Sequence, residues 1–152
     1  MAGRALDWTR TGTVQAMGEW VRLEIGATVV LAVRAADAVL LADPKTTPAQ
    51  ACQLVLAYLP RLVEWVTLER QGKYRWALDG AAKGRAEWLQ RESDAICVLV
   101  IRPHDSLLLV DRRCKPDDAE QLVQEYLPEL AAAFGESTKY KGARLVLEPC
   151  PE

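Results

Sequence analysis

Residues 27–62 read ATVVLAVRAADAVLLADPKTTPAQACQLVLAYLPRL, and residues 95–130 read AICVLVIRPHDSLLLVDRRCKPDDAEQLVQEYLPEL. An offset of 68 aligns the two without a gap, and 17 of the 36 positions are identical. The identities include Leu31/Leu99, Arg34/Arg102, Asp37/Asp105, Asp43/Asp111, Pro48/Pro116, Tyr58/Tyr126 and Pro60/Pro128. The offset also holds upstream, at Trp8/Trp76, Gly12/Gly80, Glu19/Glu87, Trp20/Trp88 and Glu24/Glu92. Self-similarity at a fixed period indicates a tandem duplication, which governs every further reading of the chain.

Within the first unit, residues 28–34 (TVVLAVR) are β-branched and apolar and predict a buried strand, and 38–43 (AVLLAD) predicts another. Thr47, Pro48 and Gln50 spell the start of a helix: a capping hydroxyl, a proline at the first helical position and a glutamine to close the box. Ala51, Leu54, Val55, Tyr58 and Leu62 then form one helical stripe. Pro60 and Pro128 predict a kink or break in each helix. Upstream, Val21, Leu23 and Ile25 alternate with Trp20, Arg22 and Glu24, which predicts a half-buried strand over 19–25 after a first strand near 6–15, with Met17 and Gly18 turning between them.

The second unit repeats the plan, with a strand over 73–79 and strands over 95–102 and 106–111. Residues 81–93 (AAKGRAEWLQRES) have helical propensity when read alone. Read through the repeat they form a hairpin turning near Lys83 and Gly84, and the repeat is followed. A second helix covers 116–134 with Gly135 as its cap, and 143–148 forms a closing strand. The expected fold is α+β: a four-stranded antiparallel meander plus helix, twice, then one strand (ββββα-ββββα-β). The copies are related by a pseudo-twofold, with two helices packed on the sheet. The expected organisation is one domain, 1–152, made of repeats at about 4–68 and 72–136. A lone unit of that size buries too little surface to stand well alone.

This plan of four strands followed by a helix, in tandem, resembles at the level of architecture the purine-rich-element-binding (PUR) repeat and Whirly proteins. The resemblance implies a fold that binds single-stranded nucleic acid, and no sequence motif carries over with it.

The net charge of −2 supplies no global basic field for nucleic acid or an anionic membrane. No apolar run approaches the length of a membrane span, and the N-terminal residues lack the apolar core of a secretory signal. Cys52, Cys97, Cys114 and Cys150 are scattered, so reduced thiols in the cytoplasm are expected. No phosphate loop, nucleophile elbow or zinc motif is present, and no cofactor or metal is expected. His104, the single histidine, and Cys114 fall at opposite ends of strand 106–111, too far apart for a dyad.

Two surfaces stand out. Trp20 and Trp88 fall on the polar side of their segments in both units; they serve either as stacking platforms for bases, as anchors for a protein, or as packing in a seam. Arg22, Lys73, Arg75, Lys83, Arg85 and Arg91 surround them in sequence and complete a candidate binding face. The second surface is acidic: Asp117, Asp118, Glu125 and Glu129 on the second long helix form a candidate docking face for a basic partner. The expected function is that of a non-enzymatic protein acting through protein–protein contact, as an adaptor, inhibitor, immunity-type or chaperone-type protein. The alternative is a single-stranded nucleic-acid binder using Trp20, Trp88 and the cations near them.

Overall fold

The structure, a computed structural model, describes residues 8–35, 37–137 and 144–146. In chain order the elements are α1 (Trp8–Ile25), β1 (Val29–Val33), β2 (Ala38–Ala42), α2 (Pro48–Arg70), α3 (Gly80–Ser93), β3 (Cys97–Ile101), β4 (Ser106–Val110), α4 (Pro116–Ser137) and β5 (Arg144–Val146). The fold is α+β with one antiparallel sheet, ordered β4-β3-β1-β2-β5.

The expected four-strand meander is corrected. Each half runs helix, strand, strand, helix, and the elements β1, β2 and α2 begin 68 residues before β3, β4 and α4. Residues 19–25 are the end of a helix, not a strand. Val14, Gly18, Val21 and Arg22 are buried at helical spacing, whereas Leu23 is 64% exposed, so the alternation of Val21, Leu23 and Ile25 does not mark an inner face. Residues 81–93 likewise belong to a helix. The Asp79 carboxylate accepts from the Ala82 N–H at 2.8 Å, Ala82, Ala86, Leu89 and Ser93 turn inward, and Asp94 ends the helix in the left-handed region at φ 57°. Residues 73–79 form no strand. The architectural basis for the resemblance to PUR-repeat and Whirly proteins, four strands before a helix, is therefore not the order observed.

The start of α2 follows its sequence. The Thr47 hydroxyl accepts from the Gln50 N–H at 3.1 Å, and the Gln50 side chain returns to the Thr47 N–H at 3.0 Å. Neither α2 nor α4 breaks at its proline. Pro60 is exposed, and the turn preceding it carries the half-exposed Leu56. Gly135 lies inside α4 rather than capping it. Strand β5 falls within the expected 143–148. The start of the strand expected near 6–15, the ends of 143–148, and Cys150 lie outside the described residues.

Every residue of β1, β2 and β3 is buried, and successive side chains on a strand point to opposite faces, so both faces of the sheet are covered. Helices α1 and α3 pack together over one face, and α2 and α4 over the other. The α1 layer approaches closely at Gly18, where an added Cβ would stand 2.5 Å from Leu41 Cδ1. Gly18 is thus a contact between helix and sheet rather than a turn.

Both hairpin turns are held by the same ion pair. Arg34 grips the buried Asp37 carboxylate, with Nε at 2.6 Å, and Arg102 grips Asp105 through Nε and Nη2, each at 2.6 Å. Arg102 extends further, to Asp79 at 3.2 Å and to the Ile25 carbonyl at 3.3 Å, tying the end of α1 and the start of α3 to the β3–β4 turn. Its guanidinium lowers the pKa of Asp105. Asp79 is lowered chiefly by the Ala82 N–H and then by Arg102.

Candidate functional site: an aromatic patch between two helices

Helix α1 carries Trp20 outward, and α3 carries Trp88 to meet it. The ring centroids are 5.3 Å apart at 66°, an edge-to-face pair. Trp88 is half-buried against the core, whereas Trp20 is 42% exposed. Leu23, one helical turn beyond Trp20, is the most exposed large apolar side chain among the described residues. On the other side of Trp20 the Arg85 guanidinium lies 4.7 Å from the ring centroid and also pairs with Glu24 at 3.3 Å. The result is a small apolar surface of Trp20, Leu23 and Trp88, bounded by one cation and one carboxylate.

The eight residues of the expected binding face do not form one surface. Trp20, Trp88 and Arg85 come together. Arg22 is buried, held by Glu19 at 2.8 Å and by the Ala27 carbonyl at 3.5 Å, and belongs to the packing of α1 rather than to a ligand face. Lys83 turns toward Glu69 of α2 at 4.0 Å, and with Arg91 it lines a groove beside β4. Lys73 and Arg75 are exposed on the segment joining α2 to α3. The reason for the dispersal is helical geometry: residues taken as neighbours on a strand face are rotated by about 100° per residue around α3.

The aromatic residues between those cations, Tyr74 and Trp76, turn to α2. Trp65 stacks on Tyr74 at 5.3 Å and 16°, and meets Trp76 edge-on at 6.0 Å. Trp76 is buried, while the Trp8 side chain lies outside the described residues. The acidic residues Asp117, Asp118, Glu125 and Glu129 are all exposed on α4. Asp118, Glu125 and Glu129 share one helical stripe; Asp117 lies apart from it and lines a shallow groove of about 330 Å³ between α2 and α4 with Glu64 and Glu120.

The sequence reading missed Leu23, which it placed inside, and the groove beside β4. Spacing could have found the first: Ala16, Trp20, Leu23 and Glu24 recur at intervals of three and four, an outward helical stripe. Where no run of membrane-span length was expected, residues 49–70 of α2 are long and apolar enough to cross a membrane by length and composition. In this fold that helix packs against α4 and β4.

Cys52, Cys97 and Cys114 are free thiols. Burial, with a smaller contribution from Cys114, pushes the Cys97 thiol up to about 12, so it is inert as a nucleophile. His104 and Cys114 sit beyond opposite ends of β4. Among the described residues no group of three or more His, Cys, Asp or Glu side chains is placed to hold a metal ion. Comparison with protein-family models, with curated proteins and with solved structures finds no match to this chain.

Proposed function

We propose that this chain is a non-enzymatic binding protein that docks another protein on the patch formed by Trp20, Leu23 and Trp88. The observation that carries the reading is the exposure of Trp20 and Leu23 side by side, with Trp20 42% and Leu23 64% accessible. An exposed aromatic with an aliphatic neighbour and a charged rim is the composition of an interface centre. The nucleic-acid alternative has less support. The Arg85 guanidinium already occupies a face of the Trp20 ring, so a base stacking there displaces it, and Lys73, Arg75, Lys83 and Arg91 lie off the patch. The free thiols fit work in a reducing compartment, as in the cytoplasm. The protein itself is read as a tandem duplication whose unit is helix–strand–strand–helix.

The test is a photo-crosslinking residue placed at position 23 in the expressing cell, in the native background and in Trp20→Ala. A discrete protein adduct lost in Trp20→Ala and retained in Asp118→Asn supports the reading. Tryptophan quenching by single-stranded oligonucleotide, saturating at about 1 µM and weakening steeply with salt, overturns it in favour of nucleic acid.

A further inference from the structure

The outward edges of β2 and β4, the second strand of each hairpin, are treated differently. Arg34 N–H bonds the Asp37 carbonyl and Asp43 N–H bonds the Thr28 carbonyl, both at 2.8 Å. Antiparallel alternation then leaves Leu40, opposite Leu31, with its N–H and C=O directed away from β1. Strand β5 takes that edge and sets Leu145 opposite Leu40. In the second half, Arg102 N–H bonds Asp105 and Asp111 N–H bonds Ile96, again at 2.8 Å, so Leu108 directs its N–H and C=O outward in the same way. Among the described residues no strand pairs with that edge.

The 68-residue offset places residues 76–78 where β5 stands in the first half. They do not pair with β4. Trp76 is drawn onto α2 by Trp65, a residue whose counterpart in the other half is Ala133. What remains is a groove of about 1200 Å³ between α2 and α3, lined mostly by charged and polar side chains, with Leu108, Leu109 and Val110 of β4 in its apolar part. Leu108 is only 1% exposed, and at the same groove Glu69 of α2 and Lys83 of α3 meet at 4.0 Å. That pair is half-exposed and long, so it is weak and displaceable. The Gln90 amide nitrogen, of a residue that lines this groove, is buried with no hydrogen-bond partner among the described residues. The outward N–H and C=O of Leu108, without a strand partner among the described residues, are groups that a peptide backbone satisfies once the Glu69–Lys83 pair is displaced.

We propose that the edge of β4 is a docking site for an extended segment of a partner protein, which adds antiparallel to β4 as β5 adds to β2. The chemistry of the occupant is given by the equivalent edge: Leu40 and Leu41 of β2 recur as Leu108 and Leu109, so a strand with a central apolar pair like Leu145 and Val146 fits both. Arg70, whose Nη2 binds the Val110 and Asp111 carbonyls at 3.0 and 3.1 Å, closes the far end of the edge and limits the added strand to a few residues. This site is separate from the Trp20 patch and does not depend on it.

The experiment uses the full chain and a synthetic peptide of sequence KGARLVLE, copying residues 141–148. The expected result is binding at about 100 µM or tighter, with amide exchange at Leu108 slowed at least about tenfold and exchange at Leu40 unchanged. The same peptide N-methylated at its Leu145 position loses binding, because the group that donates to the Leu108 carbonyl is gone. No binding, equal binding of the N-methylated peptide, or changed protection confined to β2 overturns the proposal. Concentration-dependent protection of Leu108 without peptide overturns it too, assigning the edge to a second copy of this chain.

Discussion

Leu31 of β1 stands directly opposite Leu99 of β3 at the centre of the sheet, and the two are separated by the 68-residue offset. Each is therefore paired with its own counterpart at that offset. Val30 opposite Val100 and Ala32 opposite Val98 continue the same register on either side of that pair. The same offset relates Trp20 to Trp88, which meet on the outside of the helical layer. The exposed aromatic patch and the centre of the core thus both lie where the two halves meet.

Leu31 and Leu99 are 1% and 0% exposed, so neither site can lose its side chain to solvent without leaving a void. Leu31→Ala and Leu99→Ala should each lower stability by about 2–5 kcal/mol in urea unfolding. Because the two are in contact, the double variant should deviate from the sum by about 0.5 kcal/mol or more. Strict additivity would contradict the pairing.

Gly18 makes the closest helix–sheet approach among the described glycines, with Leu41 Cδ1 at 2.5 Å from the position of an added Cβ. In a helix interior, alanine is favoured over glycine by about 1 kcal/mol. Overpacking against a buried leucine costs about 1–3 kcal/mol. Gly18→Ala should therefore be destabilising by about 1 kcal/mol net, and the double variant Gly18→Ala with Leu41→Val should recover part of that loss. A stabilised single variant would show that α1 does not sit this close to the sheet.

The strands of both hairpins and the start of α2 were legible in the sequence, and helices α1 and α3 were not. Arg34, Asp37 and their counterparts bracket a turn between apolar runs, and Thr47, Pro48 and Gln50 specify a helix start through contacts within four residues. Such local chemistry does not depend on what packs around it. The segments 8–25 and 80–93 depend on tertiary context: Trp20 and Leu23 face out, and the inward residues include Gly18 and Ala82, whose small side chains carry little hydrophobic signal. The repeat compounded the error, because a strand read into Val21, Leu23 and Ile25 was transferred to 81–93 against its own helical propensity. Charge placement went with it, scattering Arg22, Lys83 and Arg85 onto three different surroundings.

Arg102 lowers the pKa of Asp105, and its hydrogen bonds also reach Asp79 and the end of α1. A carboxylate whose folded pKa is depressed contributes stability that is present above its unfolded value, about 3.9, and is lost as pH falls through the folded value. Asp105→Asn should be less stable than the native chain by about 1–3 kcal/mol at pH 7. The gap should hold down to about pH 5 and narrow below about pH 3.9, as protonation of Asp105 removes the same interaction from the native protein. Urea midpoints measured from pH 2 to 7 check this; a gap that stays constant to pH 2 would mean that the carboxylate charge plays no part in the turn.

Trp65 is the residue that separates the two halves most clearly, since its stack with Tyr74 and its edge contact with Trp76 hold the α2–α3 connection against α2. Its position in the other half carries Ala133, so Trp65→Ala converts one half toward the other. Trp65 is half-buried, and each aromatic contact adds about 0.5–1.5 kcal/mol to the area lost, which sets the expected destabilisation at about 2–3 kcal/mol. The Arg70 hydrogen bonds to Val110, Asp111 and Cys114 remain, so the end of α2 stays anchored while the connection loosens. Amide exchange of residues 74–78 should change in Trp65→Ala far more than exchange in β1 and β3, which track global unfolding. If these amides instead follow the global rate in both proteins, the aromatic stack is not what holds this segment away from β4.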